Sequence, residues 1–361
     1  MKKLIALLLS AALLLTVSGC GGKSESDFDP VKEWGSSVIN FYNWGEYIGE
    51  DVIKNFEKKY NCTVKSSYFD SNESAYTSMA TGTSYDVVVP SDYLIERLIK
   101  ENMIQPIDKS IVTNLDLLAE GVRNMDCDPD NTYMVPYFWG SVGIVYDTRY
   151  VDAAEVEEKG FAIFQDPKYA GHTYMYDSQR DAFMMALKSL GYSMNTTDEK
   201  EIQEAYEWLR VVDKNTQPEY VTDECIDGMI TELKWMSLVY SGDAAYICSE
   251  NENMAYFEPK EGTNIWMDGM VIPANAKNVK GANAFIKYML DYDASLDNSE
   301  TVGYASSNAE VLAELSSEGG DYYGIDAYLP RVGYEKDENF HHNEVLIRML
   351  VDLWNKVKLH N

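Results

Sequence analysis

The sequence predicts an α/β protein built from two lobes. The chain has 361 residues, which at about 150 residues per domain corresponds to two domains. Segments with strand and helix periodicity alternate along it, and it contains no internal repeat. Hydrophobic residues make up 45% of the chain and charged residues 25%, as is ordinary for a chain with a sizeable core.

The first part of the chain has a βαβαβα order. Strands are predicted over residues 38–42, 63–68 and 86–89, and helices over residues 50–60, 72–80 and 92–100. The last of these helices is amphipathic, with Leu94, Ile95, Leu98 and Ile99 on its apolar face. This alternation favours a mostly parallel sheet.

A second series follows. Strands are predicted over residues 133–136, 142–146, 172–176, 236–240, 265–266 and 270–272, and helices over 181–190, 201–212, 242–248, 282–290 and 344–357. Ligands of open α/β sheets bind outside the carboxyl ends of the strands. The loops that follow the strands are therefore the place to seek a site.

Residues 1–19 have the pattern of a secretory signal peptide. Lys2 and Lys3 precede an apolar run of about 14 residues from Leu4 to Val17, which is shorter than the roughly 20 residues of a spanning helix. The sequence that ends at Cys20 resembles a bacterial lipobox. It predicts cleavage before Cys20, lipidation of its thiol and, over residues 20–37, a flexible tether.

The composition is strongly acidic, with a formal net charge of −29. Such a surface repels phosphate and argues against nucleic-acid binding. It attracts cations, although an acidic surface that serves only solubility is an equally good interpretation.

The sequence contains no motif of a known catalytic centre. It lacks G-x-S-x-G, H-E-x-x-H and a phosphate-binding G-x-x-x-x-G-K-[ST], so we expect no enzyme. Neither C-x-x-C nor a histidine near a cysteine is present, and we expect no metal or other cofactor. Cys62, Cys127, Cys225 and Cys248 allow three disulfide pairings or four free thiols.

The loops after the strands combine aromatic side chains with carboxylates and hydroxyls. Aromatic faces attract cations, and carboxylates form charge-assisted hydrogen bonds with ammonium groups, so this combination suits a slender organic cation. Each residue also has an ordinary structural interpretation. Ser91 and Ser178 have the positions of helix N-caps, and Asp268-Gly269 has the pattern of a hairpin turn.

Six motifs together closely resemble the spermidine/putrescine-binding proteins of bacterial polyamine ABC transporters. They occupy residues 41–47, 85–91, 104–110, 135–140, 266–268 and 272–277, and the resemblance extends from about Val38 to Lys358. It implies a two-lobed periplasmic-binding-protein fold of type II with the ligand in the interlobe cleft. The implied lobes are residues 38–140 with 267–311, and residues 141–266 with 312–361.

The resemblance also implies the ligand-binding residues. Asp268 and Asp181 match carboxylates that hold amines, Tyr240 takes a position commonly held by tryptophan, and Ser178 falls where a second carboxylate is expected, for which Asp177 is a substitute. A polar contact expected around Phe340 to His342 has no assigned residue. The remaining matching positions supply aromatic rings or hydroxyls: Trp44, Tyr47, Ser91, Tyr93, Trp266 and Tyr304.

The resulting hypothesis is a monomeric solute-binding lipoprotein on the extracytoplasmic face of the cell membrane. It captures polyamines and delivers them to the membrane permease of an ABC importer. Another organic cation, such as an amino acid, an opine or a thiamine-like solute, is the alternative ligand. A secreted hydrolase and a surface adhesin are alternatives from other classes.

Overall fold

A computed structural model describes residues 27–359 of the chain. The predicted signal peptide and the predicted lipidation site at Cys20 lie outside the described residues. The helices are α1 Pro30–Trp34, α2 Val52–Tyr60, α3 Asn72–Ala80, α4 Asp92–Lys100, α5 Ala153–Lys159, α6 Gln179–Ser189, α7 Glu199–Thr216, α8 Glu224–Ile230, α9 Ser241–Glu250, α10 Val279–Leu290, α11 Tyr292–Val302, α12 Ala309–Ser316 and α13 Glu344–Lys358.

Eleven strands in this part of the chain belong to one connected sheet. They are β1 Val38–Trp44, β2 Thr63–Phe69, β3 Val87–Val88, β4 Ile104–Gln105, β5 Met134–Asp147, β6 Thr173–Tyr176, β7 Glu219–Val221, β8 Met236–Tyr240, β9 Met254–Phe257, β10 Ile265–Pro273 and β11 Ala305–Ser306. The main order is β2-β1-β3-β10-β5-β8-β6-β7. The predicted α/β fold is therefore confirmed.

Parallel pairing is confined to the outer parts of the sheet. β1 pairs in parallel with β2 and β3, and β6 pairs in parallel with β7 and β8. β5 and β10 are antiparallel to each other and to their other neighbours. The parallel order predicted for the first part of the chain is found in β2-β1-β3. The prediction of a mostly parallel sheet is wrong for the sheet as a whole, because β5 and β10 are antiparallel to each other and to their neighbours.

β5 is the strand that connects the two halves. Its first half pairs with β10, from Met134 to Ser141, and its second half pairs with β8, from Val142 to Tyr146. The sequence predicts two separate strands here, over 133–136 and 142–146. That division is wrong because the residues between them stay extended and hydrogen-bonded to β10.

The apolar cores follow the same division. One core collects buried side chains between Ile39 and Trp139 and between Met267 and Ala305. Two further cores collect side chains between Val142 and Met254 and between Val311 and Val357. The exact predicted lobe boundaries stay predictions.

Residues 30–34 differ from the predicted flexible tether. Asp29 caps α1, and Pro30 occupies its first turn, where the missing N–H of proline has no cost. The Trp34 ring then packs against Phe56 and Tyr60, with centroid distances of 6.2 and 5.4 Å. Burial against α2 gives this short helix a fixed position, so the tether prediction is wrong from Pro30 onward.

The structure also shows the state of the cysteines and the length of the helices. Cys62, Cys127, Cys225 and Cys248 are all free thiols. Between residues 27 and 359, no helix combines the length and the apolar character needed to cross a membrane.

Candidate functional site

The pairing register of β5 sets three predicted site residues in line. Asp268 faces Phe138, Trp266 faces Gly140, and Tyr240 faces Val142. Alternate residues of a strand lie on one face, about 7 Å apart. A carboxylate, an indole and a phenol therefore follow one another along the central strand, at the junction of the two halves.

Gly140 leaves room for the aromatic rings at the centre of this line. A Cβ atom on Gly140 would lie 2.6 Å from the Trp266 ring. The Trp266 and Tyr304 rings meet edge to face with centroids 5.1 Å apart. Tyr304 comes directly before β11, whose Ala305 pairs with Trp139. Because glycine has no side chain, the two rings come together across the strand.

Tyrosine rings extend the row in both directions. Tyr47 lies 6.0 Å from Tyr304, and Tyr240 lies 5.9 Å from Trp266, both edge to face. Tyr176 continues the row at 4.9 Å from Tyr240. These rings form the aromatic row: Tyr47, Tyr304, Trp266, Tyr240 and Tyr176. Their separations are those of favourable edge-to-face pairs.

Each of three tyrosines in the aromatic row donates its hydroxyl to a carboxylate. Tyr47 donates to Asp268 at 2.8 Å, Tyr240 to Asp181 at 2.8 Å, and Tyr304 to Asp243 at 2.9 Å. Across the described chain, none of these three carboxylates belongs to an ion pair. The site thus holds acidic groups that no protein cation neutralises by direct contact.

Burial disfavours the charged form of all three carboxyl groups. It raises the pKa of Asp268 to about 6 and that of Asp243 to about 7, although the tyrosine hydroxyls lower both. Burial also raises the pKa of Asp181, whose Oδ1 has no hydrogen-bond partner. A ligand that brings positive charge and N–H donors would satisfy these groups.

Ser91 and Tyr93 approach the row from the loop after β3. Ser91 forms a single antiparallel bridge with Asp268. It stands at the N-cap of α4 without making the capping hydrogen bond, and its hydroxyl instead accepts from Asn72 at 2.9 Å. Asn72 donates to the Tyr93 hydroxyl as well, at 2.8 Å. The amide of Asn72 therefore orients both predicted site hydroxyls.

Arg180 covers Tyr93 from the opposite half of the molecule. Its guanidinium lies 3.9 Å from the centre of the Tyr93 ring, and it also donates to the Tyr93 hydroxyl at 3.1 Å. The same side chain pairs with Glu73 at 3.1 Å. α6 is thus tied to α3 and α4 across the junction.

Trp44 lies beside the aromatic row rather than within it. Its indole N–H donates to the carbonyl of Val89 at 2.9 Å, and its ring packs on Phe69 with centroids 4.5 Å apart. Trp44 is half-buried at the end of β1.

Neither Asp177 nor Ser178 adds an available carboxylate to the aromatic row. Asp177 accepts from the Trp354 indole at 2.9 Å and from Lys358 at 2.7 Å, so α13 already neutralises it. Ser178 caps α6 by accepting from the amide of Asp181 at 3.3 Å. The capping interpretation of Ser178 is confirmed.

Asp268 and Gly269 do not form the hairpin turn that their sequence favours. They lie inside β10, where the register with β5 shifts between the two residues. A bulge of this kind redirects a side chain without ending the strand. The two predicted strands at 265–266 and 270–272 are therefore one strand.

Sequence reasoning missed three residues of the site. Asp243 lies in the first turn of α9, three residues after Tyr240 at the end of β8, so its position after a strand is an available signal. Asn72 and Arg180 act through contacts with α4, and such contacts between distant segments have no local sequence signal.

A two-lobed α/β architecture with an aromatic and acidic site at the junction defines a solute-binding protein. The family model of the bacterial extracellular solute-binding protein matches residues 51–320. The chain belongs to this family.

Individual relatives agree with this assignment. The spermidine/putrescine-binding periplasmic protein of Salmonella typhimurium is 35% identical over 320 residues, which cover 88% of each chain. A solved putative spermidine/putrescine ABC transporter protein from Listeria monocytogenes is 33% identical, with a TM-score of 0.79, and the match covers 90% of this chain and all of that one. The TpPotD lipoprotein of Treponema pallidum is 25% identical, with a TM-score of 0.75 over 89% of this chain and 99% of its own.

Proposed function

We propose that this protein captures a polyamine such as spermidine or putrescine and delivers it to the permease of an ABC importer. The observation that carries the proposal is the aromatic row with its three unneutralised carboxylates. A polyamine is a flexible methylene chain with ammonium groups. Its methylenes match the ring faces, and its ammonium groups match Asp268 and Asp181.

The contacts have the right energetic scale. A micromolar dissociation constant requires about −8 kcal/mol of net binding free energy. Cation–π contacts contribute about 0.5–2 kcal/mol each, and hydrogen bonds to charged groups about 1.5–3 kcal/mol each. Several of each exceed the requirement before the entropic cost of binding is subtracted.

The remaining predicted site residues have supporting roles in this proposal. Tyr47, Ser91 and Tyr93 supply hydroxyls, Trp44 supplies an outer aromatic surface, and Ser178 fixes Asp181 through the helix cap. Asp177 is not one of the ligand carboxylates in this proposal, because Lys358 and Trp354 already donate to it.

Calorimetric titration tests the proposal. The mature domain, from about Ser24, is stripped of bound ligand and titrated with putrescine, spermidine, spermine and arginine at low and moderate salt. We expect one-to-one binding of a polyamine, tighter than that of arginine and weaker at higher salt because the surface is acidic. A folded, stripped protein that binds no polyamine would refute the proposal.

The cellular setting follows from the same proposal. We propose that the protein is a monomer held on the extracytoplasmic face of the membrane by lipid on Cys20, and that it releases its ligand chemically unchanged. A variant in which residues 1–20 are replaced by a secretory signal peptide that is cleaved without lipidation should be free of the membrane fraction. Retention of the variant would contradict the lipid anchor, and conversion of the polyamine during incubation would contradict a pure binding role.

A further inference from the structure

A buried carboxyl group lies beside the site and has no assigned role in ligand binding. Asp92 is the first residue of α4, directly after Ser91, and is only 2% exposed. Its Oδ1 accepts from the amide of Tyr93 at 2.7 Å, and its Oδ2 accepts from the amide of Met267 at 3.3 Å. Asp92 thus joins the start of α4 to β10.

The bond to Met267 continues the ladder of β10 beyond the end of β3. The amide of Gly269 donates to the carbonyl of Pro90 at 3.0 Å, and the amide of Met267, two residues earlier, donates to the Asp92 side chain. Because a buried backbone N–H needs an acceptor, the Asp92 carboxyl takes the place of a strand carbonyl. Met267 separates the indole and the carboxylate of the site that β10 carries, so this bond holds the backbone between them.

Asp92 and Asp268 are like charges in buried surroundings. The pKa of Asp92 is raised to about 8, by burial first and then by the charge of Asp268, against the opposing effects of the amides that donate to it and of the Arg180 guanidinium. Tyr93 and Cys127, which also face it, stay neutral, because burial raises the pKa of the phenol and of the thiol. Two carboxyls so placed are not both ionised near neutral pH, and Asp92 retains the proton.

Protonation changes how Asp92 holds β10. An ionised carboxylate accepts at both oxygens, whereas a protonated carboxyl turns one oxygen into a donor. The bond from the Met267 amide is the longer of the two, so it is the one that protonation weakens. Loss of the proton restores the acceptor and strengthens the bond.

We infer that Asp92 is a positioning residue for ligand capture, which loses its proton to the solvent when an ammonium group pairs with Asp268 and then binds the amide of Met267 as a carboxylate. This inference rests on the proposed polyamine function. The ammonium group neutralises Asp268, so a like charge no longer opposes the ionised form of Asp92. Release of the proton and tightening of β10 are therefore both linked to binding.

Calorimetry in buffers of different ionisation enthalpy counts the protons released per ligand. Spermidine is titrated at pH 7.5, in MOPS and in Tris, into the stripped wild-type protein and into Asp92→Asn. We expect the wild-type protein to release about one proton per ligand and the variant to release less by at least about half a proton, because Asp92 is mostly protonated in the free protein at this pH. Proton uptake by spermidine itself is the same in both titrations and cancels in the difference.

The affinity gives an independent readout. Asp92→Asn resembles the protonated form at every pH. The wild-type protein should therefore bind spermidine about as tightly as the variant at pH 6 and about tenfold more tightly at pH 8.5. A residue that served stability alone would change the affinity by the same factor at both pH values.

Asp86→Asn is the matched control. Asp86 directly precedes β3, at the opposite end of that strand, and is 1% exposed. It also accepts from backbone amides, those of Asn40 and Asn278, at 2.8 Å each. The control should lose stability and keep the proton release of the wild-type protein.

Three results would overturn the inference: equal proton release in the wild-type protein and Asp92→Asn, an affinity ratio that does not change with pH, or the same loss of proton release in Asp86→Asn. Each leaves the proposed function standing as long as the wild-type protein binds spermidine. If it binds only putrescine, the same titrations use putrescine. A wild-type protein that binds neither refutes the proposed function, and the inference with it. If Asp92→Asn does not fold, Asp92→Ser replaces it and must show the same reduction.

Discussion

Asp268→Asn separates the contribution of a buried charge to ligand binding from its cost to folding. Asp268 is only 6% exposed and accepts from the Tyr47 hydroxyl at 2.8 Å. An asparagine amide oxygen accepts the same hydrogen bond. The substitution therefore removes the charge and leaves the local geometry nearly intact.

The expected loss of affinity is large. Removing one partner from a buried, hydrogen-bonded charge pair costs about 2–5 kcal/mol. At about 1.4 kcal/mol per factor of ten, this corresponds to a loss of roughly 30-fold to 4,000-fold in polyamine affinity. An affinity within about twofold of the wild-type value would show that Asp268 does not hold an amine.

The same substitution should stabilise the ligand-free protein. The folded state raises the pKa of Asp268 from 3.8 to about 6, so it resists ionisation by about 3 kcal/mol. Below about pH 4 this carboxyl is protonated in both states, and the cost is absent. The cost grows as pH rises towards about 6 and is complete above that value. Asp268→Asn should therefore raise the free energy of unfolding at pH 8, by up to about 3 kcal/mol, and leave it unchanged at pH 3.

Calorimetry at pH 8 and urea denaturation at pH 3 and 8 measure the two effects. Asp130→Asn is the control, because it removes the same charge from an exposed position. That variant should change neither quantity beyond about 0.5 kcal/mol. If Asp268→Asn destabilises the free protein at pH 8, the reasoning from burial is refuted, even if affinity is lost.

Three further predictions follow from the site. Polyamine affinity should fall as the pH is lowered from 8 to 5, because Asp268 and Asp243 must lose their protons to pair with ammonium groups and have raised pKa values near 6 and 7. The fall should be at most about tenfold per pH unit for each carboxyl involved. A calorimetric affinity that does not change with pH would contradict this. Gly242→Ala should lower the free energy of unfolding, measured by urea titration, by about 1–3 kcal/mol because the added Cβ would overpack Tyr304. Gly45→Ala should be neutral in this titration, because a Cβ atom at Gly45 would have no atom within 4 Å. Arg180→Gln should loosen the tie between α6 and Tyr93, so that the ligand-free protein expands in small-angle scattering. Arg348→Gln, at a side chain that is 80% exposed, should not expand the protein. Equal profiles for the two variants would exclude a role of Arg180 in holding the two halves together.

The sequence predicts those parts of the fold that depend on local patterns. The buried β3 and the amphipathic α4 lie where their apolar residues indicate. The sequence predicts a break in β10 because Asp268-Gly269 has the composition of a turn, and it predicts that a strand ends at Pro136. In the structure both positions lie within long strands that pair with their neighbours. Pairing with distant strands therefore overrides the local preference.

The candidate site shows the same limit. Aromatic and acidic residues after strands could be identified from the sequence, because the carboxyl ends of strands are ligand-binding positions. Their partners could not: Asp177 and Ser178 are adjacent in sequence, yet one is neutralised by Lys358 and the other caps a helix. Whether the Asp177 carboxylate is available to a ligand thus depends on Lys358, which is 181 residues away in the sequence.

The buried carboxylates link the stability of this protein to its occupancy. Burial raises the pKa of Asp268, Asp243 and Asp181, so each lowers the stability of the ligand-free protein at neutral pH. A cation that enters the cleft offsets these costs together, since each ammonium group neutralises a charge that the fold itself leaves without a counter-ion. Ligand binding should thus stabilise the protein more strongly than the contacts alone suggest. The acidic groups that destabilise the ligand-free protein are therefore the groups that make its stability depend on the ligand.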